Sequence, residues 1–362
     1  MTTTETPAPA PERDEPSEIT THDNLSPAAH AGIGVGSLVL GFGVAALWTG
    51  GLNIAWGVIF TAILYVISIY FVTRSLEGHR AATDRLATAV MTSAFLLVLL
   101  PLVSVAWTTI ENGAARFDWQ FFTEDMRSVV GYGGGGYHAI VGTLIMTGLT
   151  ALISVPFGIM VAVYLVEYGQ GTKLAKSITT MVDVMTGIPS IVAGLFAYGL
   201  FVVFYGPGYS SGIGGAVALS VLMTPVVVRS AEEMLRLVPN ELREAAYALG
   251  VPKWKTITKV VLPTSIAGIL TGVTLAIARV IGETAPLLIV AGFPQGTNWN
   301  PFDGRMGSLP VMAYYSYTAP GVPPEAGYER AWTAALVLIL IVAILFAIAR
   351  VIAKVLQPKG LR

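Results

Sequence analysis

The sequence contains no cysteine, so neither a disulfide scaffold nor a thiolate-ligated metal site is available to it. Its four histidines, His22, His30, His79 and His138, are scattered rather than grouped as a metal or acid–base cluster requires. Charge is scarce: 12% of the 362 residues are Asp, Glu, Lys or Arg, where a soluble protein has about a quarter. The net charge of −1 gives no basic field for nucleic acid. No segment has the Gly-x4-Gly-Lys-Ser/Thr spacing that cradles phosphates, since Gly169-Gln-Gly-Thr-Lys173 is spaced wrongly. If ATP drives this protein, another chain binds it, and no metal or other cofactor is expected.

What the chain has in excess is apolar. Hydrophobic residues make up 54%, and they fall into runs of about 20, the length that crosses a hydrocarbon core of about 30 Å. Eight runs are found, at 31–47, 52–72, 87–107, 140–166, 178–204, 212–228, 264–291 and 332–352. They predict an all-α polytopic membrane protein of about eight spans, with 212–228 the weakest. The first 30 residues hold five prolines, six acids and one basic residue, Arg13, and are expected to be a disordered cytoplasmic tail. A secretory leader carries positive charge before a short apolar run, so nothing is expected to be cleaved from this acidic tail. The first run is rich in glycine (Gly32, Gly34, Gly36, Gly41, Gly43), including a Gly-x-x-x-Gly that either seats another helix closely or is chance in such a composition.

Lys and Arg set the orientation, because basic residues collect in cytoplasmic loops. With the N-terminus inside, 16 of the 21 basic residues fall on inner segments. Arg116, Arg127, Arg305 and Arg330 fall outside, and Arg279 lies within a span. Both termini are therefore expected in the cytoplasm of a cell-membrane protein. The outer loops at 108–139 and 292–331 are long and rich in Gly, Pro and aromatics, as in Gly131-Tyr-Gly-Gly-Gly-Gly-Tyr137. They suit either contact with a partner and the lining of an entrance, or flexible connection.

The inner segment 229–263 is the longest and most charged. Leu242, Ala245, Ala246 and Leu249 stand at i, i+3, i+4 and i+7 and share one helical face. Asn240 can cap the start, Gly250 can supply the left-handed residue after the end, and Pro252 stops continuation. Small residues on the apolar face fit a shallow seat in a groove of another protein; a lipid surface and a plain connector also accommodate such a helix. Glu244-Ala-Ala-x3-Gly250-x9-Val260-x-Leu262-Pro263 resembles the EAA loop of ABC importer permeases, with Val260 where Ile is commoner. The resemblance implies that Glu244, Ala245, Ala246, Gly250, Leu262 and Pro263 belong to a loop whose coupling helix docks on an ATPase subunit.

The seventh run contains Arg279 and Glu283, four residues apart and so expected on one helical face. An arginine at a span's centre costs about 2.5–3.5 kcal/mol to insert, and each Leu or Ile returns about 0.3–0.6. The charges should therefore face protein or water, either as an ion pair that fixes packing or as an anion site. Ala278-Arg-Val-Ile-Gly-Glu-Thr-Ala-Pro-Leu-Leu288 resembles the signature of phosphate-specific ABC permeases, PstA type, and Gly187-Ile-Pro-Ser-Ile-Val192 followed by Gly194-Leu-Phe resembles a second block of that family. The resemblance runs from about residue 140 to the C-terminus. It implies a type I ABC importer permease fold over 87–355, preceded by two additional N-terminal helices at 31–72 whose role it does not explain. It further implies a homologous permease partner of PstC type, an ATPase dimer of PstB type and an external phosphate-binding protein of PstS type. This chain would then be a non-catalytic membrane subunit embedded in lipid.

Arg279 offers a planar fork of donors suited to an oxyanion. Glu283 is expected to pair with Arg279 when the path is empty and to accept the proton that phosphate keeps and sulfate lacks. Pro189 cannot continue a helix ladder, so the fifth span should kink near 187–190, making Pro189 and Ser190 either path residues or members of a packing kink. Thr284 and Thr224-Pro225 are further path candidates, and Asp183 is expected to pair with a basic inner-loop residue. The competing functions are a PstC-type partner, a permease for sulfate or molybdate, and a gradient-driven secondary transporter.

Overall fold

The computed structural model describes residues 25–356, in which the regular structure is all helical, without a β-strand among the described residues. Most of the tail expected to be disordered lies outside the described residues. The chain divides into two compact units, Met1–Ala106 and Trp107–Arg362.

The first unit holds α1 (Pro27–Thr49), α2 (Ile54–Leu76) and most of α3 (His79–Gly113). Helix α1 starts four residues before its apolar run, because Ser26 accepts a hydrogen bond from the Ala29 amide at 3.2 Å and Pro27 opens the first turn. Gly50 ends it in the left-handed conformation, and Asn53 caps α2 so that the chain returns along α1. The two helices meet closely at Gly41, where a Cβ would lie 2.4 Å from Thr61 Oγ1. Gly32 and Gly36, the pair of the Gly-x-x-x-Gly motif, face open space instead. At the unit's polar end the buried Glu77 carboxylate accepts from the Leu25 amide and from Arg85 Nη2 at 2.7 Å, and Arg85 also meets His30.

The second unit is organised around α8 (Gly212–Arg236), the span expected to be weakest. Its 25 residues cross alongside α5 (Tyr137–Val163), which continues through a π-turn to Tyr168. Small and hydroxylated side chains line this seam. Thr150 Oγ1 reaches the Ala216 carbonyl at 3.2 Å, and Thr224 Oγ1 donates to its own helix at the Ser220 carbonyl, 2.7 Å away, and lies 3.2 Å from Ser154 Oγ across the seam. Thr224 thus spends its hydroxyl on packing. The other side of α8 carries α11 (Leu262–Ile281) and the pair α6 (Lys173–Thr186) and α7 (Ser190–Tyr205). Short helices α4 (Trp119–Thr123), α9 (Asn240–Ala248), α10 (Lys253–Thr256), α12 (Ala285–Val290) and α13 (Leu309–Thr318) fill the ends, and α14 (Pro324–Leu356) closes the chain.

Among the described residues seven helices are long and apolar enough to cross a membrane, and the bent pair α6–α7, taken as one span, makes an eighth. Broad exposure of Leu102, Val105, Leu152, Phe157 and Ile344 fits lipid as the surrounding solvent. Two runs are not continuous helices. The fifth turns by 109° between α6 and α7, at the Gly187-Ile-Pro189 kink. The seventh, expected unbroken to residue 291, ends at Ile281 and resumes at Ala285. Pro286 stands in the first turn of α12, where its missing N–H and its ring bar α11 from running through.

Helix α5 also packs closely on the loop before α13 at Gly142, where a Cβ would fall 2.0 Å from the Gly307 carbonyl oxygen, while one on Gly148 would meet nothing. Gly142→Ala should therefore cost about 1–3 kcal/mol as overpacking that rigid backbone resists. A lowered melting temperature of the detergent-purified protein for Gly142→Ala, beside an unchanged one for Gly148→Ala, is the expected outcome.

Candidate translocation and coupling site

The break after α11 places the charged residues. Arg279 lies in the last turn of α11, where a cation is favoured by the carbonyl ends of the helix, and it is exposed. Glu283 lies beyond the helix end, half-buried, with its amide turned back to the Val280 carbonyl at 3.1 Å. The expected i, i+4 register is therefore lost. Among the described residues no ion pair joins Arg279 to Glu283, which removes the empty-path pairing from the geometry. Thr284 is half-buried and precedes α12 without a side-chain cap.

Both helix breaks lean on one core. Ala193 of α7, Ala276 and Val280 of α11 and Leu287 of α12 are buried together, with Ile188 and Leu288 packed against them. A Cβ on Gly194 would come 2.7 Å from Pro286 Cα, so the two sequence blocks singled out above touch. Pro189 is exposed at the kink, and Ser190, half-buried, opens α7.

On the α8 side of this kink, Asp183 meets Arg229, the basic partner expected for it. Arg229 also binds the buried Glu232 at 2.8 Å, and Arg236 binds the same carboxylate at 2.6 Å. Glu232 carries no sequence signal beyond being an acid one turn after an arginine on a helix.

The inner helix α9 forms as the periodicity predicts, with two corrections. Pro239 rather than Asn240 occupies the cap position, and of the four residues on the predicted apolar face only Ala246 is buried. Leu242, Ala245 and Leu249 are exposed, as are Glu244 and Gly250. The end is a Schellman turn: Val251 N–H donates to the Ala246 carbonyl at 3.1 Å and Gly250 N–H to Tyr247 at 2.9 Å, with Gly250 at φ +74°. Leu262, half-buried, packs with Val261, Leu235 and Val238 beneath α9, and Pro263 is exposed at the start of α11.

What holds α9 is a residue pair that sequence spacing does not reveal. Arg243 Nε and Nη2 both donate to Glu167 Oε1, at 3.0 and 2.8 Å, and its remaining donors take the carbonyls of Leu235 and Val238 at 3.0 and 2.6 Å. The two side chains are 12% and 5% exposed, so the pair is nearly dry. Lys253 Nζ donates to the Glu167 carbonyl and lies 4.8 Å from the Tyr168 ring centroid. Glu167 was legible only as the single acid closing the fourth apolar run.

At the opposite end of α5 the two long loops are clamped together. Asp125 accepts from the amides of Arg127 and Thr297, both at 3.1 Å, and the Met126 amide donates to the Gln295 carbonyl at 2.9 Å. Desolvation pushes the Asp125 carboxyl up, but the Arg127 and Thr297 hydrogen bonds and the Arg127 charge outweigh it and hold the group below its ordinary value.

The model of the binding-protein-dependent transport system inner membrane component family matches residues 154–360, from α5 through the coupling segment to the C-terminus. The chain belongs to this family. Its relatives include phosphate transport system permease protein PstA 1 of Mycobacterium tuberculosis (strain CDC 1551 / Oshkosh), 47% identical over 277 residues, covering 75% of this chain and 89% of the relative. PstA of Mycobacterium leprae (strain TN) is also 47% identical over 277 residues, with 75% and 89% covered. PstA of Pasteurella multocida (strain Pm70) is 39% identical over 264 residues, with 72% and 92% covered. A chain of the inward-facing MetNI methionine ABC transporter has a TM-score of 0.48 at 20% identity, covering 61% of this chain and 94% of that one. Family membership makes this a multi-pass membrane component of a transport system. Such systems include, in general, a second permease, an ATPase and a binding protein.

Two outcomes follow from the geometry. Glu167→Gln leaves the Arg243 charge buried and unpaired, a change that costs about 3–5 kcal/mol when the pair is dry. Hydrogen exchange should accelerate selectively in α9, the Glu167 turn and the last turn of α8 that Arg243 also binds, with the α8 segment packed against α5 near Ala216 and Ser220 unaffected. For Asp125, a folded-state value below the ordinary 3.8 means its stabilisation is full above that value and is lost as pH falls through the lower folded one. Loop protection against proteolysis should be flat from about pH 5 to 8 and decline below about 4, and Asp125→Asn should remove the decline.

Proposed function

We propose that this chain is the PstA-type permease subunit of an ATP-driven importer of inorganic phosphate, with the substrate path along the surface that carries Arg279. The observation behind this reading is an arginine left exposed at a helix break in an apolar span, with no carboxylate partner among the described residues. Such a charge needs protein or water against it, not lipid. A homologous permease of PstC type packed on that surface supplies both, and encloses a path between the two subunits. The phosphate named for the relatives gives the substrate class.

In this reading Arg279 engages phosphate through its planar fork. Glu283 accepts the proton that phosphate retains, a contact sulfate cannot make. Thr284 and the Pro189–Ser190 break line the same path with hydroxyl and freed backbone groups. An external PstS-type protein delivers phosphate, and a PstB-type ATPase dimer closes against α9 through Glu244, Ala245, Ala246 and Gly250. Leu262 and Pro263 carry that motion into α11. Both termini then lie in the cytoplasm, and this subunit hydrolyses nothing itself.

The test is uptake of labelled phosphate into proteoliposomes holding the complete complex, with excess unlabelled sulfate. Uptake should require ATP, resist sulfate and fall by about ten- to a hundredfold in Arg279→Gln, the scale of losing a charged hydrogen bond, while assembly is unchanged. Wild-type uptake driven by an ion gradient without ATP, or uptake of a different oxyanion only, would overturn the reading. Glu283→Gln that admits sulfate no better than wild type would remove the selectivity role.

A further inference from the structure

A second cationic site lies at the other end of the molecule from α9. Helix α5 runs from Tyr137, beside the clamped loops, to Glu167, beside the coupling helix, so the two groups occupy opposite faces. On the loop face is a cleft of about 560 Å³, walled by the stacked rings of Phe293 and Tyr315 and lined by Gln295, Ser316 and Arg330. No acidic residue lines it.

Arg330 is only 6% exposed. Its Nη1 donates to the carbonyls of Gly131 and Gly133, at 2.7 and 3.2 Å, and no other hydrogen bond of its guanidinium is formed among the described residues. Gly131 and Gly133 adopt φ of +81° and +95°, which lets the glycine-rich turn present those oxygens. Arg330 forms no ion pair with any described carboxylate. Two carbonyl dipoles orient the guanidinium, the repulsion of nearby Arg116 outweighs the attraction of Glu329, and the buried charge still calls for a counter-charge. Its free edge, on a cleft with amide and hydroxyl donors and no acid, suits a planar two-point contact with an oxyanion.

We propose that this cleft is a receiving site for an inorganic oxyanion of the phosphate class, bound between Arg330, Gln295 and Ser316 before it reaches Arg279. The proposal deepens the phosphate-importer reading and rests on it for the direction of traffic. The 560 Å³ leaves space for the anion with part of its water shell, each water occupying about 30 Å³. Arg330 thereby serves as a substrate contact at the entrance, distinct from the intramembrane arginine.

The absence of cysteine gives a direct test. In the complete complex in proteoliposomes without ATP, Ala319→Cys places a thiol on the wall of the cleft without removing a proposed anion contact, and Thr123→Cys places a control on α4. Labelling of this chain by a membrane-impermeant maleimide is followed with rising inorganic phosphate against chloride at matched ionic strength. Phosphate should slow labelling at position 319 and leave position 123 unchanged. Adding Arg330→Gln should raise the half-protecting concentration about tenfold or more, as loss of a charged hydrogen bond implies. Should Arg330→Gln fail to assemble, Gln295→Ala, which keeps the Arg330 backbone contacts, must weaken protection instead. Absence of protection, or protection indifferent to these substitutions, overturns the proposal. Uptake is scored separately: protection that persists in Arg279→Gln while uptake is lost supports an independent outer site, whereas protection by phosphate in a complex that imports none sinks the importer reading and spares the cleft.

Discussion

Hydrocarbon offers no water to a peptide group or a charge, and that constraint governs almost every choice in this chain. Threonine and serine hydroxyls within the spans return to their own helices, as Thr143, Thr150, Ser220 and Thr224 do. The two places where helices break, at 187–189 and 282–284, share a buried core of Ala193, Ala276, Val280 and Leu287. Freed backbone is thus backed by protein on at least one side. The pairs Glu77–Arg85, Glu232–Arg236 and Glu167–Arg243, each with a buried carboxylate, lie near helix ends, where an arginine can reach the carboxylate and pair it. Arg279, in the last turn of α11, departs from the pattern, since no ion pair reaches it among the described residues.

What the sequence made legible follows from the same physics. Run length and composition located the spans, because hydrophobic thickness is a one-dimensional requirement that each helix meets by itself. The kink at Pro189 and the left-handed Gly250 were legible for an equally local reason, since each depends on one residue's backbone chemistry. The break at 282–284 was obscured because Leu287, Leu288 and Ile289 keep hydropathy high across it. Only Pro286 marked the discontinuity, and a proline in a first turn looks the same as one inside a span until the partner helix is known. Glu167 and Arg243 are 76 residues apart, and nothing in either neighbourhood points to the other. Arg330 was read as one of four outer charges used to orient the chain, with no sign of its burial.

Helix α9 shows why an amphipathic pattern does not state which face is buried. The rule that apolar positions turn inward assumes that the domain supplies the core. Here the reverse holds for Leu242, Ala245 and Leu249, while the charged Arg243 is the side chain driven into the body of the protein. A guanidinium can do this because five donors in a fixed fork can be satisfied simultaneously by Glu167 and by carbonyls at the end of α8. Leu242, Ala245 and Leu249 are thereby left exposed on the side of α9 turned away from the Arg243 anchor, which is the side the proposed coupling reading needs.

That division also decides how a push on α9 would travel. An apolar anchor permits sliding, because dispersion contacts are non-directional and exchange readily for neighbouring ones. A bidentate, nearly dry ion pair has one good geometry, and losing it exposes two charges to a poor environment. Displacement of α9 therefore moves the Glu167 turn and α5 with it, while the Leu235 and Val238 carbonyls tie the same guanidinium to the end of α8. Since α8 packs along α5 and α11 together, and α11 ends in the turn bearing Arg279, one rigid contact at the coupling face is mechanically continuous with the charged break in the proposed path.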